Sequence, residues 1–369
     1  MRGGEKVVEE LCRLYPQADI FTLVCDPEKL SPFLRERTIR TSFLQKLPGA
    51  RRHYQKLLPL MPFALEELDL TAYDIVISSE SGPAKGVVAR PDALHVCYCH
   101  SPMRYIWDHY HLYRQEAGFL ARTLMTLTAP ALRTWDVTTA ARVDAFVANS
   151  AHVARRIRRV YNRDSAVIHP PVAVNDFAPA ADTGDFYLCA GQLVTYKRVD
   201  LAVRAFTRMN KRLVVIGEGP QMAELRRVAG PTVELLGYQP FAALRDYLSR
   251  CRALVFPGEE DFGILPVEAM ACGRPVIAYD SGGARETVST PEVGVRFAEQ
   301  SEAGLVEAVS RFEAREAGFD PAAIRAHAET FSAELFRRRM RDFVDAAWRE
   351  RFGEARAEPG RTAAETAVA

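Results

Sequence analysis

Residues 256–277 read Phe256-Pro-Gly-Glu-Glu-Asp-Phe-Gly-Ile-Leu-Pro-Val-Glu-Ala-Met-Ala-Cys-Gly-Arg-Pro-Val-Ile277. An apolar run ends at Phe256, a glycine-bearing loop carries Glu260, and a helix is predicted from about Ile264. Pro266 suits its first turn, and Glu268 lies inside it. Apolar residues resume at Pro275–Ala278. Strand, loop, helix and strand in this order make one turn of a parallel α/β sheet. The amides of Gly263, Ile264 and Leu265 have no carbonyl partner inside such a helix. They point out of its positive end, a ready diphosphate site. Glu260 on the loop and Glu268 in the helix are placed to grip opposite ends of an elongated ligand. Glu268 suits a ribose diol and Glu260 sugar hydroxyls, since a carboxylate accepts two hydroxyl donors. The plainer alternative is that both acids merely favour the helix N-terminus.

Working outward, the same alternation fills most of the chain. Short, nearly continuous apolar runs fall at 20–25, 74–78, 94–98, 145–148 and 166–168, then at 186–190, 213–216, 233–236, 253–256 and 275–278. Runs of this length and texture predict parallel strands covered on both faces, and helical patterns lie between them. A break follows Pro170-Pro171, and 175–185 has no apolar period. The expected domains are therefore 1–170 and 186–330, joined by a linker over 171–185. A helix over 331–352 packs back toward the first domain. A tail over 353–369, without periodicity, is expected to be disordered. A length of 369 residues accommodates two such domains.

Composition narrows the classes. With 48% hydrophobic and 26% charged residues the chain is neither a disordered polyelectrolyte nor a coiled-coil rod. A net charge of +1 provides no whole-molecule pull toward nucleic acid, and no nucleic-acid partner is expected. Seven cysteines, an odd number without a CxxC pair, read as reduced thiols of a cytoplasmic protein. Cys97-x-Cys99-His100 lacks a second ligand cluster, so it is not read as a metal site. No secretory signal opens the chain, and no apolar run approaches a membrane span. Residues 29–63 are basic, with Arg35, Arg37, Arg40, Lys46, Arg51, Arg52 and Lys56 among apolar side chains. That segment is expected either to meet an anionic membrane surface or to be an ordinary solvated arginine face.

Glu260-x7-Glu268, with Phe262-Gly263 before it and Ala269-Met270-Ala271-Cys272-Gly273-Arg274-Pro275-Val276 after it, closely resembles the retaining GT-B glycosyltransferases of family 4. Gly191-Gln192-Leu193-Val194-Thr195-Tyr196-Lys197-Arg198 resembles that family's phosphate-binding loop. Gly217-Glu218-Gly219-Pro220, Gly237-Tyr238 and Ser281-Gly282-Gly283 resemble its later glycine turns. In the first half, Cys97–Asp108, Asn149-Ser150 and Val167–Val172 are similar to the mannosyltransferase branch that builds bacterial O-antigen and exopolysaccharide units.

The resemblance implies a GT-B fold: two Rossmann-like domains facing a central cleft. It implies a nucleotide-sugar donor, foremost GDP-mannose, and a polyprenyl-diphosphate-linked saccharide acceptor; the alternatives are a UDP-sugar-dependent GT-B enzyme and a truncated, non-catalytic glycosyltransferase-like subunit. It places the enzyme at the inner face of the cytoplasmic membrane, with no cofactor. No Asp-x-Asp occurs in the sequence, so no metal is expected to bridge the diphosphate. His100, Lys197 and Glu260 are the expected catalytic residues. Lys197, Arg198, Gly217, Gly219, Gly263, Ile264, Leu265 and Glu268 are expected to bind the donor, and Gly3, Gly4 and Arg104 the acceptor. Lys197 would neutralise the leaving diphosphate; the plainer reading is a solvated loop lysine. For His100 the plainer reading is a strand-end histidine.

The chain departs from the family in two places. Gln192 stands where an arginine usually pairs with the lysine, and Arg198 or another cation is the expected substitute. The chain also begins at the Gly3-Gly4 turn that normally follows a strand. The first domain is therefore expected to lack its first, central strand, or to draw it from upstream.

Overall fold

A computed structural model describes residues 3–353 and 366–368. The chain divides into two units, Met1–His169 with Phe336–Ala369, and Pro170–Leu335. In chain order the strands are β1 (Asp19–Thr22), β2 (Ile39–Thr41), β3 (Ile75–Glu80), β4 (Leu94–Cys99), β5 (Ala145–Ala148), β6 (Ala166–Val167), β7 (Tyr187–Ala190), β8 (Leu213–Ile216), β9 (Val233–Gly237), β10 (Leu254–Phe256), β11 (Val276–Tyr279), β12 (Gly294–Phe297) and β13 (Thr366–Val368).

The first unit is built on one parallel sheet ordered β2-β1-β13-β3-β4-β5-β6. One face is covered by the Gly3–Leu14 and Ala333–Phe352 helices, which bring Val7, Leu11, Phe336, Met340, Val344 and Trp348 onto Ile75, Ile77, Val96 and Tyr98. The other face buries Cys97, Cys99, Phe146 and Ala148 under the Ala151–Tyr161 helix. That helix starts cleanly because the Ser150 hydroxyl accepts the Val153 amide at 3.1 Å.

β13 corrects two expectations. Of the tail 353–369, residues 354–365 and 369 lie outside the described residues. Residues 366–368 form a strand between β1 and β3, at the interior position expected to be vacant. Ala367 pairs with Asp19 on one side and Val76 on the other. All three β13 residues are buried. Thr-Ala-Val is too short to show a period, so only the sheet reveals the strand.

The second unit is a parallel sheet ordered β12-β11-β10-β7-β8-β9. Its order reverses between β10 and β7, which places a topological switch point at their carboxyl ends. Residues 171–185, expected as a linker, are partly core instead: Val172, Val174 and Phe177 pack with Phe186, Leu188 and Phe331. These apolar residues are spaced too irregularly to betray burial by period. Two other strand readings shift. β1 stops at Thr22, where the expected strand ran to Cys25, and the Gln45 side chain takes over the Cys25 backbone through bonds of 2.7 and 3.2 Å. β2 and β12, one edge strand of each sheet, are not legible as apolar runs.

Behind β3 and β4 lies a buried charge cluster. The Lys85 ammonium bonds Asp136 and stands 3.4 Å from Glu80 Oε1, all three with no solvent exposure. Tyr161 donates to Asp136 at 3.1 Å, the Trp107 indole donates to it at 2.7 Å, and the Lys85 amide donates to Glu80 at 2.8 Å. Burial disfavours the Lys85 ammonium, but Glu80 and Asp136 together overcome this and raise its pKa. Burial pushes the Glu80 carboxyl up, Lys85 pulls it down and Asp136 pushes it up again, leaving it at about 7.

Two outcomes follow from these packings. Ala367→Asp in the full chain buries a carboxylate between two strands and is expected to cost roughly 2–4 kcal/mol in chemical denaturation; an unchanged midpoint would refute the β13 placement. A Glu80 carboxyl raised above its unfolded value contributes stability that is complete below about 4.5 and is lost as pH rises through about 7. Wild-type stability should therefore fall relative to Glu80→Gln between pH 5 and pH 8, measured by denaturation across that range. Parallel pH dependence of the two proteins would contradict it.

Candidate functional site

In the Pro170–Leu335 unit the loop after β7 and the loop after β10 leave the sheet at its switch point. Each turn there is held by backbone contact that only glycine permits. Gly217, at φ 144°, would place a Cβ 1.8 Å from the Gly191 carbonyl oxygen. A Cβ on Gly258 would lie 2.6 Å from the Lys197 Cα. The two loops are thus pressed together, and the pressing delivers Lys197 to Glu260: Nζ and Oε1 are 2.7 Å apart. Burial works against the Lys197 ammonium, but the Glu260 carboxylate and its hydrogen bond outweigh this and raise the lysine pKa. The recess that the pair closes, lined also by Cys189, Phe256 and Pro257, holds only about 10 Å³. That is room for one water at most.

Glu260 also anchors the next turn, its carbonyl accepting the Gly283 amide at 2.8 Å. Gly263, in left-handed conformation at φ 85°, opens the Ile264–Ala271 helix with no side-chain cap. Glu268 is buried within that helix. Gly219 sits where a Cβ would lie 2.2 Å from the Leu193 carbonyl oxygen, so its backbone lies against the β7 loop. Arg198 has left-handed φ, 51°, and its guanidinium reaches Asp200 at 3.2 Å and Gln300 at 3.3 Å, away from Lys197. Gln192 is exposed.

The second group lies in the other unit, where its residues are likewise at strand ends. His100 follows β4, and its Nε2 lies 2.9 Å from the Ser79 hydroxyl at the end of β3. Its amide donates to the Glu80 carbonyl at 2.6 Å, and Tyr98 meets its ring edge-on at 5.1 Å. Gly4, in the first turn of the Gly3–Leu14 helix, is so near that a Cβ would lie 3.6 Å from His100 Nε2. Burial pushes the His100 imidazole down to about 4, so it is neutral at physiological pH. Arg104 lies beyond, in the 101–109 turn that Trp107 ties to Asp136. Ser79, Glu80, Lys85 and Asp136 escaped the sequence reading. Only the Lys in an otherwise apolar 83–89 stretch hinted at a buried charge.

A cavity of about 500 Å³ in the second unit lies elsewhere, beside Asp280, Thr290, Arg296, Arg311 and Arg315, and contains none of these residues. Among the described residues no group of three or more His, Cys, Asp or Glu is arranged to hold a metal.

Comparison with known proteins assigns the two halves separately. A family model described as Glycosyltransferase Family 4 matches residues 1–176, and one described as Glycosyl transferases group 1 matches residues 185–314. A Corynebacterium glutamicum GDP-mannose-dependent monoacylated alpha-(1-6)-phosphatidylinositol monomannoside mannosyltransferase is 30% identical over 185 residues, covering 42% of this chain and 48% of the relative. A D-inositol 3-phosphate glycosyltransferase of Mycobacteroides abscessus is 28% identical over 284 residues, 63% of this chain and 64% of the relative. The chain thus spans about half the length of the first relative and just under two thirds of the second. Among solved structures, Anabaena HepE with UDP and glucose has a TM-score of 0.68 at 15% identity, over 93% of this chain and 96% of that one. Sucrose-phosphate synthase from Thermosynechococcus elongatus has a TM-score of 0.69 at 20% identity, over 94% and 92%. With two parallel Rossmann-like sheets and these two matches, the chain has the GT-B fold of glycosyltransferases, its first half similar to the family 4 model and its second to the group 1 model.

Proposed function

We propose that the chain is a retaining glycosyltransferase that moves mannose from GDP-mannose onto a polyprenyl-diphosphate-linked saccharide. Its place would be the inner face of the cytoplasmic membrane, in surface polysaccharide synthesis. The observation that carries the transferase reading is the Lys197–Glu260 pair at the switch point, beside the uncapped start of the Ile264–Ala271 helix. A cation, free helix amides and a buried acid within one short stretch match a diphosphate flanked by two polyols.

On this reading Lys197 exchanges Glu260 for the donor diphosphate, and Glu260 turns to the sugar hydroxyls. The amides of Gly263, Ile264 and Leu265 hold phosphate oxygens, Gly217 and Gly219 let the donor approach the backbone, and Glu268 takes the ribose diol. Arg198 reaches the diphosphate only by leaving Asp200 and Gln300. Gly3, Gly4 and Arg104 face the acceptor. The acceptor hydroxyl oxygen bonds to the anomeric carbon on the face from which the diphosphate leaves. The carbon–phosphate-oxygen bond breaks, and the hydroxyl proton passes to the departing phosphate. Lys197 and the helix amides stabilise the charge that develops there, without a metal. The name of the Corynebacterium relative supports GDP-mannose. The UDP-bound fold neighbour supports a second reading, a UDP-sugar donor.

Turnover of GDP-mannose, UDP-glucose and UDP-N-acetylglucosamine with a lipid-diphosphate saccharide separates the two. Transfer from GDP-mannose alone is expected, transfer from a UDP-sugar would replace the mannose, and binding of no nucleotide would end the transferase reading. Lys197→Ala and Glu268→Gln are expected to lower kcat/KM by about 10²–10³ with unchanged thermal melting; turnover like wild type in either would remove that residue from the site. His100, neutral across pH 6–8, is expected to act by hydrogen bonding. His100→Gln should then differ from wild type by a constant factor over that range. A wild-type step near pH 6.5 that vanishes in His100→Gln would show a proton-transfer role instead.

A further inference from the structure

The Phe119–Thr139 helix enters the core at one end only; its other end is tied by polar bonds of Arg114 and Arg122 to the Tyr110–Glu116 helix and the turn after it. Its second half enters the core: Leu132 packs with Met103 and Ile106, Asp136 joins the buried charge cluster, and the Trp135 indole donates to Glu66 at 3.1 Å. Its first half has no apolar cover. Phe119 is 81% exposed, Leu120 82% and Leu127 73%, with Leu124 also exposed. Leu120, Leu124 and Leu127 recur at helical spacing and so share one stripe. Exposed leucines that share one stripe of a helix, with no apolar side chain over them, mark a contact surface.

Two observations bear on what the stripe meets. First, the threonines of this half need no water. Thr123, Thr126 and Thr128 donate to the Phe119, Arg122 and Leu124 carbonyls at 3.0, 2.9 and 2.8 Å. A hydroxyl satisfied within its own helix can enter a low-dielectric layer at little cost. Second, the neighbouring surface is basic. From Arg37 to Leu65 the sequence contains no Asp or Glu, and Lys46, Arg51, Arg52 and Lys56 are exposed there. That segment abuts the helix, since Leu58 packs with the Leu132 cluster and Glu66 receives Trp135. It adds an apolar side chain of its own, Phe63, 68% exposed.

We propose that the first half of the Phe119–Thr139 helix, with Phe63, lies in the interface of an anionic lipid bilayer, its leucine stripe inserted and the 46–56 cations on the headgroups. A second copy of the chain is a poorer occupant, because facing stripes would bring the two basic segments together. The proposal deepens the membrane part of the function proposed above by naming the inserting element.

The full chain is tested by co-sedimentation with vesicles of phosphatidylcholine alone and of phosphatidylcholine with phosphatidylglycerol. Salt-sensitive binding to the anionic vesicles is expected. The variant Leu120→Gln/Leu124→Gln/Leu127→Gln should weaken it by about tenfold or more, since each change withdraws apolar area from the interface. These positions face water, so melting by circular dichroism should not change. Leu127→Trp should gain emission that brominated lipid quenches in anionic vesicles. Equal binding by the triple variant, absence of wild-type binding, or a wild-type dimer that the triple variant dissolves would each overturn the proposal. Binding of GDP and UDP in solution is measured on the same proteins. Nucleotide binding without vesicle binding sinks the membrane surface alone, and vesicle binding without nucleotide binding sinks the donor site alone.

Discussion

The backbone of the loop after β10 lies directly against the loop after β7, because Gly258 has no side chain to hold it away from Lys197. This contact brings Lys197 to Glu260 at the switch point of the second sheet. Gly191 and Gly217 similarly meet backbone to backbone at the ends of β7 and β8, and Gly282 lies against the Glu260 carbonyl. A sheet whose order reverses between β10 and β7 leaves a crevice there, and these glycines keep it narrow. The result is an ion pair that occupies its own recess. In that state each partner satisfies the other.

The first unit is organised around a different constraint, the burial of charge. Lys85, Glu80 and Asp136 sit together without solvent, and the cost of burying these groups is offset by mutual attraction and by Tyr161 and Trp107. The cluster does mechanical service. Asp136 belongs to the Phe119–Thr139 helix, Trp107 to the turn after His100, and Glu80 ends the strand whose Ser79 meets the His100 ring. One group of charges therefore joins the strand ends, the Arg104 turn and the exposed helix stalk.

β13 shows how far a parallel sheet will go to avoid an interior vacancy. β1 and β3 would otherwise each present an unpaired row of amides and carbonyls to the interior. Three residues from the far end of the sequence satisfy both, with small side chains that fit between Ile20 and Ile77.

The sequence by itself determined the periodic and glycine-dependent parts of this protein. Ten apolar runs of strand length, separated by helical patterns, specify parallel sheets because only such sheets bury both faces. The Glu260–Glu268 stretch specified its own loop and helix, since Gly263 and Pro266 act locally. Tertiary structure alone decided what depends on distant partners. It placed Thr366–Val368 inside the first sheet, turned 172–177 from linker into core, and moved Arg198 toward Gln300. It also drew Lys85, Glu80 and Asp136 together and left Leu120 and Leu127 bare. Period and spacing report on a residue's near neighbours. The energy of a buried charge or an uncovered leucine is set by residues far along the chain, and these meet only when the chain folds.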